Sequence, residues 1–489
     1  MTFNFTNPGY YLWFIPVTMF IVFATGILRR RVDRQLSALL VMSYLFFVLA
    51  SGWHLVLLIT STTVDWFAGK RIFESQNGRK RKIWLIYSIS VNLGLLFVFK
   101  YLDFIIRSLG WASLKFGGQF HIDEFGLLLP VGISFYTFQT MSYTIDIFRR
   151  RQKPADSFVQ FACYASFFPQ LVAGPILRFS EFESQVRDPL EPKFIRIKIG
   201  ITLIIYGLVK KMVFADNFGV HVDGIFSEGI PLENVILVYW GALLFGLQIY
   251  CDFSGYTDIA LGSAHLFGIQ LPENFRAPYR SRSPQEFWRR WHITLSTWLR
   301  DYLYITLGGS KHGRNRMFAA LMITMILGGL WHGASWNFAL WGLIHGVLLV
   351  AHRLISKSSL LGYFRREWPK LHFISSLILT QWMIFFTWLI FRIEDSNMLF
   401  RSMKTYFLID SSFDVSVAFN SMPGQNTLIG LLLLSFLSFH LCSSMINGSL
   451  KYQISGMTSG RWGVVVGIMI AMLILLRPAE AIEFIYFRF

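Results

Sequence analysis

One histidine lies in a glycine-flanked apolar motif where it could carry out proton transfer. His332 follows a long apolar run and belongs to the sequence GGLWHGA at positions 328–334. Neighbouring glycines would let a substrate or another backbone approach closely. A neutral imidazole there could take a proton from an attacking hydroxyl group. The alternative is a histidine hydrogen-bonded at a helix end, and spacing alone does not separate the two.

A second histidine lies in the segment EFWRRWHITLSTWLRDY, residues 286–302, which mixes charged and aromatic side chains. Ionisable groups at bilayer depth are costly, so the segment is predicted to line a wet protein interior. If it is helical, Trp288, His292 and Ser296 share one face through their spacing of four. His292 would then be a second polar group near the first histidine. The alternative is an amphipathic interfacial helix, which is favoured for the arginines because they would meet lipid phosphates.

The acidic residues and the remaining histidines give weaker signals. Asp252 and Asp258 are six residues apart, which does not align them on one helical face. Each is expected to pair with an arginine or to cap a helix. His345 and His352 share a helical face, but no further ligands with suitable spacing accompany them. No metal site is predicted.

Composition identifies the kind of element that must hold these side chains. The chain has 489 residues, of which 54% are hydrophobic and 15% charged, with a mean hydropathy of +0.48. Soluble domains average about a quarter charged residues. Helices that satisfy their own backbone hydrogen bonds are therefore the expected framework of an integral membrane protein. The net charge of +17 is explained by cytoplasmic loops and surface anchors, so nucleic-acid binding is not predicted.

The apolar runs predict one domain over residues 1–489, with about eleven to thirteen membrane helices. Residues 158–177 are expected to form a broken, re-entrant element because of Pro169 and Gly174-Pro175. Residues 410–426 are polar and are predicted to be an exposed loop. The predicted spans are residues 11–28, 36–50, 53–68, 83–106, 127–148, 199–214, 235–250, 318–330, 335–350, 373–390, 428–442 and 462–476. Clusters of arginine and lysine follow the first, third and fifth runs, which predicts an N-terminus outside the cell.

Five motifs together resemble the membrane-bound O-acyltransferase family, in its bacterial branch that O-acetylates alginate and peptidoglycan. They are LPVGISFY (129–136), FPQLVAGPILRF (168–179), DFSGY (252–256), the segment 286–302 and GLWHG (329–333). They occur in order across a core of residues 127–393, which is more specific than any one motif. The aromatic end FIYFRF (484–489) is also similar to tails in this branch.

The resemblance implies an all-α polytopic membrane protein, in which a ring of tilted and interfacial helices surrounds a central tunnel. His332 matches the family's essential histidine and is expected to act as the general base. His292 matches a second histidine, expected to position the donor or to polarise its carbonyl. Further residues expected along the substrate tunnel are Trp288, Trp291, Ser296, Trp331, Asp252 and Tyr256.

The resemblance also implies a reaction and its participants. An acetyl group would pass from a cytosolic thioester, either acetyl-coenzyme A or an acyl carrier's phosphopantetheine, to an exported polysaccharide or cell-wall glycan. A periplasmic partner protein would receive it, and the enzyme would lie in the bacterial inner membrane without a tightly bound cofactor. The donor-binding residues are not identified. Two alternatives remain open: D-alanyl transfer to teichoic acid, and a transporter whose broken element at residues 158–177 forms the substrate site.

Overall fold

The computed structural model describes residues 3–27, 32–118, 122–191, 193–311, 313–422, 424, 426–445, 450–479 and 482–487. Across these residues the chain is helical, and its extended pairing is limited to an isolated bridge between Asn234 and Ser412. The predicted all-α class is confirmed. In chain order the helices are α1 (Ile15–Ile27), α2 (Val32–Ser51), α3 (Leu55–Glu74), α4 (Gly78–Leu96), α5 (Leu102–Lys115), α6 (Ile133–Phe148), α7 (Phe158–Ser166), α8 (Phe168–Leu171), α9 (Phe179–Gln185), α10 (Phe194–Leu208), α11 (Asp216–Ile225), α12 (Val235–Leu266), α13 (Pro284–Trp288), α14 (Ile293–Trp298), α15 (Arg314–His332), α16 (Trp336–Ile355), α17 (Ser359–Glu367), α18 (Pro369–Arg392), α19 (Ser396–Tyr406), α20 (Val415–Ser421), α21 (Asn426–Met445), α22 (Leu450–Gly456) and α23 (Ser459–Leu476).

Several helices are long and apolar enough to cross a membrane. Within the described residues there are six such stretches: Val32–Glu74, Gly78–Lys115, Val235–Leu266, Trp336–Ile355, Pro369–Arg392 and Ser459–Leu476. The first contains α2 and α3, which turn at Gly52, where φ is +61°. Other predicted spans correspond to shorter helices, such as α6 with 16 residues and α10 with 15. The protein is therefore a multi-pass membrane protein.

Three predicted boundaries need correction. The run 127–148 is helical only from Ile133, because Pro130 and the left-handed Gly132 (φ +73°) form a turn before it. The element at 158–177 is broken as predicted, since α8 ends at Leu171, before Gly174-Pro175. The first break, however, falls at Phe167, and Pro169 lies in the first turn of α8. The loop at 410–426 is largely exposed but contains α20, whose first turn is capped by Asp414. Residues 423 and 425 of that loop, and the arginines at 29–31, lie outside the described residues.

The structure divides into two compact units. One comprises Met1–Ile204 and Ile259–Pro272, and the other comprises Ile205–Asp258 and Glu273–Phe489. The single-domain organisation stays a prediction. Both candidate histidines belong to the second unit.

The first unit contains a buried polar network that joins three of its helices. Asp65 of α3 accepts hydrogen bonds from Ser88 (2.6 Å) and Asn92 (2.9 Å) of α4. The Ser88 hydroxyl oxygen also lies 3.0 Å from the hydroxyl oxygen of Thr144 of α6. Side-chain hydrogen bonds of this kind hold helices together where lipid provides no hydrophobic driving force between them.

Candidate functional site

The helix pair α15 and α16 positions His332. His332 is the last residue of α15, and α16 begins after Ser335, whose hydroxyl accepts a hydrogen bond from the backbone N–H of Asn337 at 3.1 Å. The two helices approach so closely that a Cβ at Gly329 would lie 2.1 Å from the carbonyl oxygen of Phe338. These glycines were expected to admit either a substrate or another backbone. For Gly329 the neighbour is the backbone of α16.

The segment that carries His292 is not one helix. Helix α13 ends at Trp288, and His292 adopts a left-handed conformation (φ +42°) before α14 begins. The prediction that Trp288, His292 and Ser296 share one helical face is therefore wrong. The cause is Asn274. Its backbone carbonyl oxygen accepts a hydrogen bond from the N–H of Ile293 at 2.9 Å and so replaces the partner that this N–H would have in a helix. Left-handed non-glycine residues are costly and often occur at functional sites.

The two histidines lie side by side in the second unit. Their ring centroids are 6.2 Å apart, and both side chains are buried, with His332 3% exposed. Aromatic rings surround the imidazole of His332, and their centroid distances are 5.1 Å for Trp331, 5.2 Å for Trp341, 5.6 Å for Tyr486 and 5.7 Å for Phe391. The predicted proximity of the two histidines is present in the structure.

Asn274 determines the tautomer of His292. Its side-chain oxygen accepts from the backbone N–H of Thr294 at 3.1 Å and from the Thr294 hydroxyl at 3.0 Å. Nδ1 of His292 lies 3.2 Å from the same oxygen. Since that oxygen can only accept, Nδ1 carries the proton and donates it. Nε2 of neutral His292 is then a hydrogen-bond acceptor.

Burial keeps His292 neutral, which predicts a pH-dependent contribution to stability. Burial lowers the pKa of His292 from its ordinary value near 6.5 to about 3. Because the unfolded chain binds a proton first, this contribution is complete above pH 6.5 and is lost as the pH falls towards 3. We expect the stability difference between the native protein and a His292→Phe variant to shrink between about pH 8 and about pH 5. Thermal unfolding in detergent measures it, and an unchanged difference would contradict the neutral assignment.

The other predicted tunnel residues are distributed around this pair. Trp288 packs against Trp341 at 5.7 Å and His345 at 5.1 Å. Trp291 packs against Trp388 at 4.9 Å. The hydroxyl of Ser296 donates to the carbonyl oxygen of Trp291 at 3.3 Å. Their lining of a tunnel stays a prediction.

The acidic residues of α12 form ion pairs with lysines. Asp252 lies 2.9 Å from Nζ of Lys211, and Asp258 lies 2.6 Å from Nζ of Lys451 and also pairs with Lys210. The expectation of an arginine partner or a capping role is wrong. The lysine partners come from other segments of the chain, Lys210 and Lys211 from residues 209–215 and Lys451 from α22, so the residue type of the aspartates could not indicate them. Tyr256 of the same helix stacks on Phe484, with ring centroids 4.1 Å apart.

Sequence reasoning missed several residues of this cluster. Phe253 contacts His292 at 4.7 Å, and Tyr486 contacts His332. Both belong to motifs that carried the family resemblance, so a signal for them existed. Trp341 and Phe391 gave no signal, because each is one apolar residue in a long apolar helix.

Comparisons with known proteins agree on one family. Residues 141–393 match the family model described as MBOAT, membrane-bound O-acyltransferase family. The chain is 35% identical to the probable alginate O-acetylase AlgI of Pseudomonas aeruginosa over 406 residues, covering 82% of this chain and 74% of that protein. It is 34% identical to the peptidoglycan O-acetyltransferase of Helicobacter pylori over 399 residues, covering 75% and 72%. The teichoic acid D-alanyltransferase of Streptococcus thermophilus is 32% identical over 246 residues, covering 46% and 57%.

Proposed function

Because this chain belongs to the membrane-bound O-acyltransferase family, we propose that it moves an acetyl group from a cytosolic thioester towards an exported polysaccharide or cell-wall glycan. The chain is a membrane O-acyltransferase, and the relatives that it matches over most of its length are named O-acetylases or O-acetyltransferases. The observation that carries the site assignment is the buried pair formed by His332 and His292, whose ring centroids are 6.2 Å apart. A protein interior of this kind can hold polar groups that lipid would not tolerate.

In the proposed reaction His332 acts as the general base. Its imidazole takes the proton of the acceptor hydroxyl while the hydroxyl oxygen forms a bond to the thioester carbonyl carbon. The carbon–sulfur bond then breaks, and the departing thiolate takes up the proton. The surrounding rings exclude water from this step, which strengthens the electrostatic interactions inside the site.

For His292 we propose positioning rather than polarisation of the donor carbonyl. Nδ1 donates to Asn274, so Nε2 of the neutral ring has no proton to give to a carbonyl oxygen. It can accept a hydrogen bond from an N–H or O–H group of a substrate. Trp288, Trp291 and Trp331 would shape the space around that substrate.

The donor, the partner and the orientation belong to the same proposal. The donor would be acetyl-coenzyme A or an acyl carrier's phosphopantetheine, and a periplasmic partner would pass the acetyl group to the glycan. The N-terminus would lie outside the inner membrane, because loops rich in arginine and lysine follow the odd-numbered spans. The test fuses the N-terminus to a reporter that works only in the cytoplasm. Activity of that reporter would contradict this orientation.

D-alanyl transfer is the second candidate, and matches to teichoic acid D-alanyltransferases support it. The match to the Streptococcus thermophilus protein covers 46% of this chain, against 82% for the alginate relative. Acetyl transfer is therefore favoured. Family membership also favours an enzyme over the transporter considered from the sequence. Measuring whether purified protein binds acetyl-coenzyme A or a D-alanyl carrier protein would distinguish the two donors.

The acceptor class is tested in cells. We expect cells that lack this gene to lose alkali-labile acetyl esters from one glycan fraction, either secreted polysaccharide or cell wall. Expression of the intact gene should restore the esters, and expression of a His332→Ala variant should not. Unchanged acetylation of both fractions would contradict the proposed acceptor class.

A further inference from the structure

A buried lysine in the second unit connects two carboxylates to the end of the chain. Lys211 lies in a wide helical turn, Val209–Ala215, and its side chain is 2% exposed. Its Nζ lies 2.7 Å from Asp216 and 2.9 Å from Asp252. The same Nζ donates a hydrogen bond to the carbonyl oxygen of Ile482 at 2.8 Å. One side chain thus links α11, α12 and the C-terminal segment.

A second contact holds the C-terminal segment to the same ion pair. Oδ2 of Asp252 accepts a hydrogen bond from the backbone N–H of Ile485 at 2.8 Å. The segment is therefore bound through a carbonyl by the lysine and through an N–H by the aspartate. Backbone groups buried away from water need such partners. Both partners belong to the buried ion pair.

The residues beside these contacts reach the candidate site. Phe484 stacks on Tyr256, with planes 18° apart. Tyr486 packs against Phe253 at 4.4 Å and against His332 at 5.6 Å. A shift of the segment would therefore displace a ring that borders the imidazole of His332.

The charges make this attachment sensitive to a single side chain. Lys211 is the cation between the Asp216 and Asp252 carboxylates, so removing it leaves two buried negative charges close together. Loss of one partner from a buried ion pair is strongly destabilising, because the remaining charge is left without compensation. The C-terminal segment would lose its carbonyl partner at the same time.

We propose that Lys211 and Asp252 form a latch that holds residues 482–487 against the site and so positions Tyr486 beside His332. They are positioning residues, which act on His332 through the C-terminal segment. This inference rests on the proposed role of His332. The latch itself is a structural relation that can be measured without any acyl transfer.

The test combines two variants with a truncation. Lys211→Met removes the cation, and Asp252→Asn keeps the shape of the side chain while weakening both contacts. We expect each to lower acetyl transfer by about 10- to 100-fold in kcat with little change in the KM for the donor, since small misplacements of site groups cost rates of this order. Deletion of residues 482–489 should lower transfer at least as much. Lys211→Met combined with the deletion should be no slower than the deletion alone.

Accessibility of the segment gives a readout that does not depend on activity. Ile485 is 4% exposed, so an Ile485→Cys protein without its other cysteines should resist a membrane-permeant maleimide. Adding Lys211→Met or Asp252→Asn should make that cysteine reactive. Lys451→Met is the matched control, because Lys451 also forms a buried pair, at 2.6 Å from Asp258. It should leave both the labelling and the activity per folded molecule unchanged.

Two results would overturn the latch. One is a cysteine at position 485 that stays protected in folded Lys211→Met and Asp252→Asn proteins. The other is a multiplicative loss when Lys211→Met is combined with the deletion, which would show that the lysine acts elsewhere. Should a His332→Ala protein keep full activity, the proposed function would fail, while the labelling would still decide whether the latch exists.

Discussion

Replacing His332 by alanine is expected to lower acetyl transfer by about 10²- to 10⁴-fold, the usual range for loss of a general base. The imidazole is 3% exposed, and its ring centroid lies 6.2 Å from that of His292. Burial lowers the pKa of His292 to about 3, so this neighbour is a weak base and a poor replacement. The assay is transfer from a labelled acetyl donor to glycan in membranes that contain equal amounts of each protein.

A packing effect must be separated from a chemical one. His332→Phe keeps an aromatic ring among Trp331, Trp341 and Phe391 but cannot bind a proton. It should therefore be as inactive as His332→Ala while it unfolds closer to the native temperature. His352→Ala is the matched control, because His352 lies near the other end of α16 and is only partly buried. Full transfer by a folded His332→Ala protein would rule out the general-base assignment.

Replacing Gly342 by alanine is expected to destabilise the packing of α15 against α16, although it adds a single methyl group. A Cβ at this position would lie 2.3 Å from the carbonyl oxygen of Met325, a distance that real Cβ contacts do not reach. Helices α15 and α16 must separate to accept it, and overpacking of this kind typically costs about 1–3 kcal/mol. Trp341, the next residue on α16, would move relative to His332, so transfer should also fall.

Thermal unfolding and transfer assays measure the two parts of this prediction. Gly463→Ala in α23 is the control, because a Cβ there meets no atom within 4 Å. Since alanine favours helix more than glycine does, that variant should be neutral or slightly more stable. A Gly342→Ala protein that is as stable and active as the native one would show that α15 and α16 are not held at this distance.

The helical class and the leading histidine could be predicted from the sequence because both are local properties. Apolar composition restricts a spanning chain to helices, and the glycine-flanked motif around His332 is contiguous. The turn at His292 could not be predicted, since it depends on Asn274, which approaches from another segment of the chain. Local periodicity favoured a continuous helix there, and the tertiary hydrogen bonds of Asn274 override it.

The contribution of the chain terminus shows the same limit. The aromatic end was noticed for its similarity to tails in the family, but nothing in its composition indicates that Tyr486 lies beside His332. That placement depends on Lys211 and Asp252, which are far from it in sequence. The expectation that Asp252 pairs with an arginine or caps a helix was based on its residue type alone. Its lysine partner lies in the wide turn that precedes α11, at a different place in the sequence.

The ring enclosure around His332 also matters when no acceptor is present. A thioester is readily hydrolysed, and a general base in contact with water could activate a water molecule to attack the donor when no acceptor is bound. Aromatic faces offer water few hydrogen-bond partners, so a molecule confined among Trp331, Trp341, Phe391 and Tyr486 is poorly held there. The same rings would therefore protect the proposed thioester donor from hydrolysis between turnovers.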